Sequence, residues 1–224
     1  MAASSRIGQL SLLVAWNIHA HEVISTKITW TQEISRIFYA HCTQCHRDDG
    51  SAPMPLVTYQ QVRPWAKAIE EEIHERRMPP WGAMKGFGEF IGDNSLSTGE
   101  IRLVADWVEG GAPEGEPQYL PPLTPSRQSQ HAQLPGGATV GDGSRLSRAV
   151  RITGISPPSG LAKSATLQVV ALLPDGAILP LLWLYNFQPR FARRFTYRDP
   201  VRLPAGTVVR IAGTGKVRWE SNPK

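Results

Sequence analysis

Cysteine is nearly absent. The 224 residues hold two, Cys42 and Cys45, three apart in "YAHCTQCHRDDG" (Tyr39 to Gly50). Once committed to this motif they leave none for a disulfide framework, so cysteine usage says little about redox compartment. Methionine stops at Met84 and histidine at His131, so residues 132–224 carry no His, Cys or Met. Long apolar runs are also missing. Residues 7–20, "IGQLSLLVAWNIHA", follow Arg6 but are broken by Gln9 and Asn17, too short and polar to span a bilayer. They read as a degraded export signal with a poor cleavage site.

Acidic residues are in deficit, 19 against 24 Lys and Arg, for a formal charge of +5. Much of the excess lies in "QPRFARRFTYRDPVR". A nucleic-acid partner is one reading of a basic chain. The arginines alternate with apolar residues at strand spacing, however, which describes a solvated strand face, and no nucleic acid is expected. A positive patch would steer docking to an acidic redox partner protein or to an anionic membrane surface, as a peripheral association.

Three chemistries suit the cysteine motif. A closed zinc site takes four ligands, but Cys42, Cys45 and His46 supply three and no second pair follows. A thioredoxin-like dithiol opens a helix after a strand, where the helix N-terminus lowers the thiol pKa. Here "TWTQEISRIFYAH" leads in, with Ile34, Ile37 and Phe38 at helical spacing, so a helix arrives at the motif. The third reading is covalent haem attachment. Two thiols separated by two residues match the two haem vinyl groups, and the histidine that follows falls under the iron as proximal ligand. An entry helix, a downstream methionine and a closing helix accompany the motif and favour this reading.

Haem iron in electron carriers commonly takes a Met thioether as sixth ligand. Met54, in "SAPMPL", comes too soon after His46 to cross to the opposite face. Met84 stands in the glycine-rich "GAMKGFGE". Met78, in "ERRMPPWG", follows a helical stretch and precedes two prolines that end the helix and bias the residue before them to an extended backbone. Met78 is the preferred ligand and Met84 the second choice; the plainer role for Met78 is filling a core gap. His74, one helical turn before Met78, is the histidine alternative, with a solvated helix position as its plainer role. His41 lies on the tethered side, and His19, His21 and His131 lie in segments without an ordered reading.

Three helices are expected. The first covers Thr31 to Cys42, capped near Thr29 or Thr31. The second starts near Pro64 with Trp65, Ile69 and Ile73 as its stripe. The third starts at "STGE", where Ser97 and Glu100 have capping-box spacing, and stops at Gly110–Gly111. "HCTQCH", "APMPLVTYQQVRPWAKAIEEEIHERRMPPW" and "LSTGEIRLVADWVEGGAPEG" together resemble the class I-like c-type cytochrome domain of bacterial exported proteins. In that family the domain is often joined to a β-rich region similar to the C-terminal half of copper type II, ascorbate-dependent monooxygenases. The resemblance spans about residues 29–120. It implies one covalent haem c, thioether links at Cys42 and Cys45, and iron ligation by His46 and Met78. It also implies a periplasmic or exported location in a bacterium.

"GGAPEGEPQYLPPLTPSRQSQHAQLPGGATVGDGS" reads as an extended linker. After Arg148, "RAVRITGI", "ATLQVVALL", "ILPLLWLYNF", "RRFTYRD", "GTVVRIA" and "KVRWE" read as about six strands, with turn signals at "LPDGA" and "LPAGT". The expected organisation is a signal or unstructured N-terminus over 1–28, a cytochrome c-like haem domain over 29–118, a linker over 119–147 and a β-rich region over 148–224. The expected fold class is α + β multidomain, an all-α haem domain followed by a small β-sandwich-like region. Copper is not expected in residues 148–224, because the loop where the family carries a His-x-His pair reads "ISPPSGLAKS". The expected function is single-haem electron transfer, not enzymatic catalysis. A haem enzyme component of peroxidase or oxygenase type, with a displaceable sixth ligand, is the alternative.

Overall fold

Alternating apolar residues from Val150 onward build most of the larger of two buried cores. The structure is a computed structural model that describes residues 27–123 and 137–221. The expected signal segment, His19, His21, His131 and residues 124–136 of the expected linker lie outside the described residues. Among the described residues seven strands form two antiparallel sheets: β1 (Ala138–Val140), β2 (Val150–Ser156), β3 (Leu167–Leu172), β4 (Ile178–Leu184), β5 (Phe195–Leu203), β6 (Val208–Ala212) and β7 (Val217–Ser221). One sheet has the order β1-β7-β2-β5 and the other β4-β3-β6. In β3, Leu167, Val169 and Ala171 are buried while the residues between them are half-exposed, so every second side chain enters the core. Ile152, Ile155, Leu182, Leu184, Val209 and Val217 join them, all fully buried. Each such aliphatic side chain contributes about 1.5–3 kcal/mol when withdrawn from water.

A bulge in the β3–β4 pairing leaves Leu181 without a Cα partner. Its carbonyl then accepts the hydroxyl of buried Tyr197 at 3.0 Å, and burial raises the Tyr197 pKa. The "LPDGA" turn closes the β3–β4 hairpin, with Leu173 N–H donating to Ala177 O at 2.8 Å and Asp175 Oδ1 accepting from Ala177 N–H.

The helices are short: α1 (Ser35–His41), α2 (Tyr59–Val62), α3 (Ala66–His74) and α4 (Thr98–Glu109). A π-helical turn over Trp30–Ile34 precedes α1, and Thr29 caps it by accepting from Gln32 N–H. Ser97 and Glu100 form the capping box of α4, and Gly111 ends that element with φ +88. Trp30 sits at the centre of the helical core, edge-on to Phe38 at 5.3 Å and tilted against Trp107 at 6.4 Å. The chain after α4 closes over this cluster: Trp30 N–H and Trp107 Nε1–H both donate to Pro113 O at 3.0 Å.

The expected fold class is corrected here. The chain is not an all-α cytochrome domain followed by a β region: two antiparallel sheets dominate, and strand residues outnumber α-helical ones. The reason is visible in residues 79–91, expected within the helical unit. They form a strap bound to the sheets. Gly82 O accepts from Tyr185 N–H and Met84 N–H donates to Trp183 O, so Ala83 bridges to Leu184 at the free edge of β4. Glu89 O accepts from Arg198 N–H and Ile91 N–H donates to Thr196 O, so Phe90 bridges to Tyr197 at the free edge of β5. Trp81, Ala83 and Phe90 are buried in the sandwich core, not in the helical one.

Two smaller readings also shift. The α3 stripe is Ala66, Glu70 and Ile73, with Trp65 49% exposed in a 3-10 turn ahead of the helix. Strand β1 occupies part of the expected linker and pairs with β7.

Candidate functional site

Helix α1 delivers the cysteine motif at its C-terminal end. Cys42 N–H donates to Phe38 O at 2.8 Å, and His46 N–H and Cys45 N–H both return to Cys42 O, at 2.9 and 3.1 Å. The five residues Cys42 to His46 therefore curl into one turn. Thr43, buried, ties its hydroxyl to Tyr39 O at 3.1 Å. The chain then folds back on itself. Ala52 N–H donates to Cys45 O, Leu56 N–H donates to His46 O, and the His46 ring places Nδ1 at 2.9 Å from Met54 O. A carbonyl can only accept, so Nδ1 carries the proton and Nε2 carries the free lone pair. This is the tautomer a metal-binding imidazole uses, with its second nitrogen held by a backbone carbonyl. Met54, set aside as an iron ligand, serves the site through its backbone, a role no side-chain motif announces.

Gly50 is where the loop comes closest. A Cβ on this residue would lie 2.0 Å from Cys45 O and 3.1 Å from Arg47 Cγ, so only glycine fits.

The two thiols are free and half-buried. Burial pushes the Cys42 thiol up to about 12, and the neighbouring Cys45 adds to the rise. A thiol held neutral is a poor nucleophile at neutral pH. Among the described residues no group of three or more His, Cys, Asp or Glu side chains converges as a metal cage.

A polar lattice joins the motif to α4. His41 places Nε2 at 3.1 Å from Glu100 Oε1 and Nδ1 at 3.3 Å from Asn94 O; Asn94 Nδ2–H donates to His41 O, and Gln44 Nε2–H donates to Asn94 Oδ1. Burial alone would raise the Glu100 pKa. Hydrogen bonds from the Ser97 hydroxyl and N–H, together with His41, outweigh it and hold the carboxyl below its ordinary range.

Met78 is half-buried and packs against the helical core, as does Cys42. It follows the unwinding end of α3, where Arg77 N–H and Met78 N–H share Glu72 O. Its side chain lines a narrow cleft together with Ile73, Leu96, Ile101, Trp81 and Met84. Met84 belongs to the same cleft but sits on the strap, its N–H bound to Trp183 O. His46, Cys42 and Cys45 are not among the cleft's lining residues. His74 is exposed as the last residue of α3.

The β unit also reaches the motif. Arg193 stacks over the Trp81 ring at 5.3 Å; burial lowers its guanidinium pKa, and the Cys45 sulfur pulls the other way. Sequence reasoning missed Arg193, Asn94 and Glu100 as neighbours of the motif, because all three lie far from it along the chain. No helix among the described residues is long and apolar enough to cross a membrane.

Comparison with protein families, curated proteins and solved structures finds no match to this chain. The donor set alone remains to be judged against a haem. Two thiols three residues apart, a histidine with Nε2 free, and a thioether beside an apolar cleft suit a covalently held haem in chemical type.

Proposed function

We propose that the chain is a single-haem c-type electron-transfer protein. The observation that carries this reading is the His46 tautomer: a Cys-x-x-Cys-His turn in which Met54 O holds Nδ1 and leaves Nε2 for iron. In this reading Cys42 and Cys45 each add their S–H across one haem vinyl group, giving two thioether links with no oxidant consumed. His46 and Met78 would hold the iron. When bound, the haem iron passes one electron by alternating between ferric and ferrous states.

The residues around the motif supply the rest. Trp30, Phe38, Leu56 and Ile101 provide apolar surface that excludes water. The Met54 carbonyl fixes the imidazole plane and makes His46 a stronger donor. Two protein ligands leave no open coordination position, which suits electron transfer rather than catalysis. An acidic redox partner protein docking on the basic surface, an exported location and the absence of copper from the β unit belong to the same proposal.

The test is a visible spectrum of protein produced with c-type haem maturation, followed by acid–acetone extraction. A reduced α-band with haem retained in the protein pellet supports the proposal. Haem that extracts freely, or a matured protein that takes up none, overturns it. A high-spin ferric spectrum would instead favour the haem-enzyme alternative.

A further inference from the structure

Met78 is bracketed by contacts to the β unit. Three residues before it, Glu75 O accepts from Asn186 Nδ2–H at 2.7 Å. Three residues after it, Trp81 is buried in the sandwich core, edge-on to Phe195 at 5.4 Å with Arg193 over its face. The strap then stays attached throughout. Phe87 packs on Trp183 at 4.7 Å, and Phe90 lies at 5.3 and 5.1 Å from Phe195 and Tyr197. On the helical side, Met78 follows the end of α3 and packs against the helical core, beside Ile73, Leu96 and Ile101.

We infer that the β unit positions the distal ligand: Asn186, Trp81 and the strap that follows hold the Met78 backbone so that its thioether is presented to iron. This rests on the electron-carrier reading above. The physical ground is entropy. Fixing one free backbone residue costs about 1–2 kcal/mol, so a segment already held at both ends presents sulfur to the metal with much of that cost removed. Edge protection explains the strand-like bonds to β4 and β5. It does not explain why Asn186, two residues past the end of β4, turns its side chain to the Glu75 carbonyl at the end of α3, outside the strap. Trp81, Phe87, Phe90 and Asn186 are thus positioning residues that act through Met78.

The experiment uses the full chain with haem covalently attached. Asn186→Gly suits the backbone there, φ +49, and removes the side chain alone. Trp81→Ala and Trp81→Phe probe the other bracket. The readouts are the far-red sulfur-to-iron absorption band and the affinity for added imidazole. With Asn186→Gly the band should weaken, and imidazole should bind roughly twofold to tenfold more tightly, the change expected from one lost hydrogen bond. Trp81→Ala should show a larger effect that Trp81→Phe largely restores. If haem stays attached while Asn186→Gly and Trp81→Phe both keep the parent's band and imidazole affinity, and folded Trp81→Ala does too, the inference is overturned and the strap only caps sheet edges. If acid–acetone strips haem from the parent protein, the electron-carrier reading itself falls, and this inference with it.

Discussion

Two glycine-to-alanine changes should move stability in opposite directions, and the structure gives the reason for each. At Gly50 the added Cβ would stand 2.0 Å from Cys45 O, more than an ångström inside ordinary contact, with Arg47 Cγ at 3.1 Å on another side. The atom that must yield is a backbone carbonyl that already accepts Ala52 N–H at 3.1 Å, so a side-chain rotation cannot relieve the clash. Overpacking against backbone costs about 1–3 kcal/mol, and loss of the Ala52 bond adds about 1 kcal/mol. At Gly99, inside α4, the nearest atom to an added Cβ is Ser97 Oγ at 4.0 Å. Nothing obstructs it, and replacing a helical glycine with alanine gains about 0.5–1 kcal/mol. Urea denaturation followed by tryptophan fluorescence measures both. Gly50→Ala should also lower the yield of haem-attached protein, because the turn that spaces Cys42 and Cys45 is displaced; Gly99→Ala should leave it unchanged. A Gly50→Ala variant within about 0.5 kcal/mol of the parent would refute the packing argument.

Three further outcomes are expected. Haem should survive denaturing electrophoresis in the matured protein, and replacing both Cys42 and Cys45 with alanine should leave a haem-free chain; a double variant that keeps covalent haem would locate the links elsewhere. Met78→Ala should abolish the far-red band, lower the potential and open the iron to cyanide, while Met84→Ala should leave all three nearly unchanged. The reverse pattern would transfer the ligand role to Met84, and a low-spin Met78→Ala protein from a parent without the band would point to His74. Glu100 titrates below its ordinary range in the folded chain, so its contribution to stability is present above the ordinary glutamate pKa of about 4.3 and is lost as pH falls through the folded value. Glu100→Gln should therefore flatten the acid limb of a stability-versus-pH curve measured from about pH 6 to about pH 3; an unchanged slope would show that the lattice with Ser97 and His41 carries no linked proton.

What the sequence discloses divides along the line between local and distant causes. The Ser97–Glu100 capping box, the stop at Gly110–Gly111, the Thr29 cap and the six strands from Val150 onward follow from short-range chemistry, and each is found within a few residues of its expected place. Of the expected α3 stripe, Ile73 is buried and Ile69 packs against the core, while Trp65 is exposed because the 3-10 turn at Arg63–Trp65 breaks the helical period before α3 begins. Glu70 lies on the buried face, which no hydrophobic period would select, and Lys67 reaches it at 2.7 Å. The strap was opaque for a stronger reason. "WGAMKGFGEF" has neither helical nor strand periodicity, and its burial is decided by Leu184, Phe195 and Tyr197, about a hundred residues later. Reading it as part of a helical unit produced the wrong fold class. The site shows the same division: Cys42, Cys45 and His46 are visible as a motif, whereas the Met54 carbonyl that orients His46 leaves no trace in side-chain pattern.

The direction of α1 bears on which chemistry the cysteines can support. Carbonyl groups at a helix C-terminus present partial negative charge, equivalent to about half an elementary charge over the last turn. Cys42 sits at that end, its N–H bound to Phe38 O. A thiolate there meets negative potential and burial together, and the Cys42 thiol stays protonated far above neutral pH. Thioredoxin-like chemistry requires the opposite end, where N–H groups stabilise the thiolate. A closed zinc site requires four donors, and among the described residues no group of three or more His, Cys, Asp or Glu side chains gathers. Thioether formation places no lasting charge on sulfur, because the product is a neutral thioether in apolar surroundings. Of the three chemistries that a Cys-x-x-Cys-His sequence admits, it is therefore the one whose product the C-terminal end of a buried helix does not penalise. The same helix end holds the motif turn through Cys42 O, and that turn directs His46 toward the Met54 carbonyl that selects its tautomer.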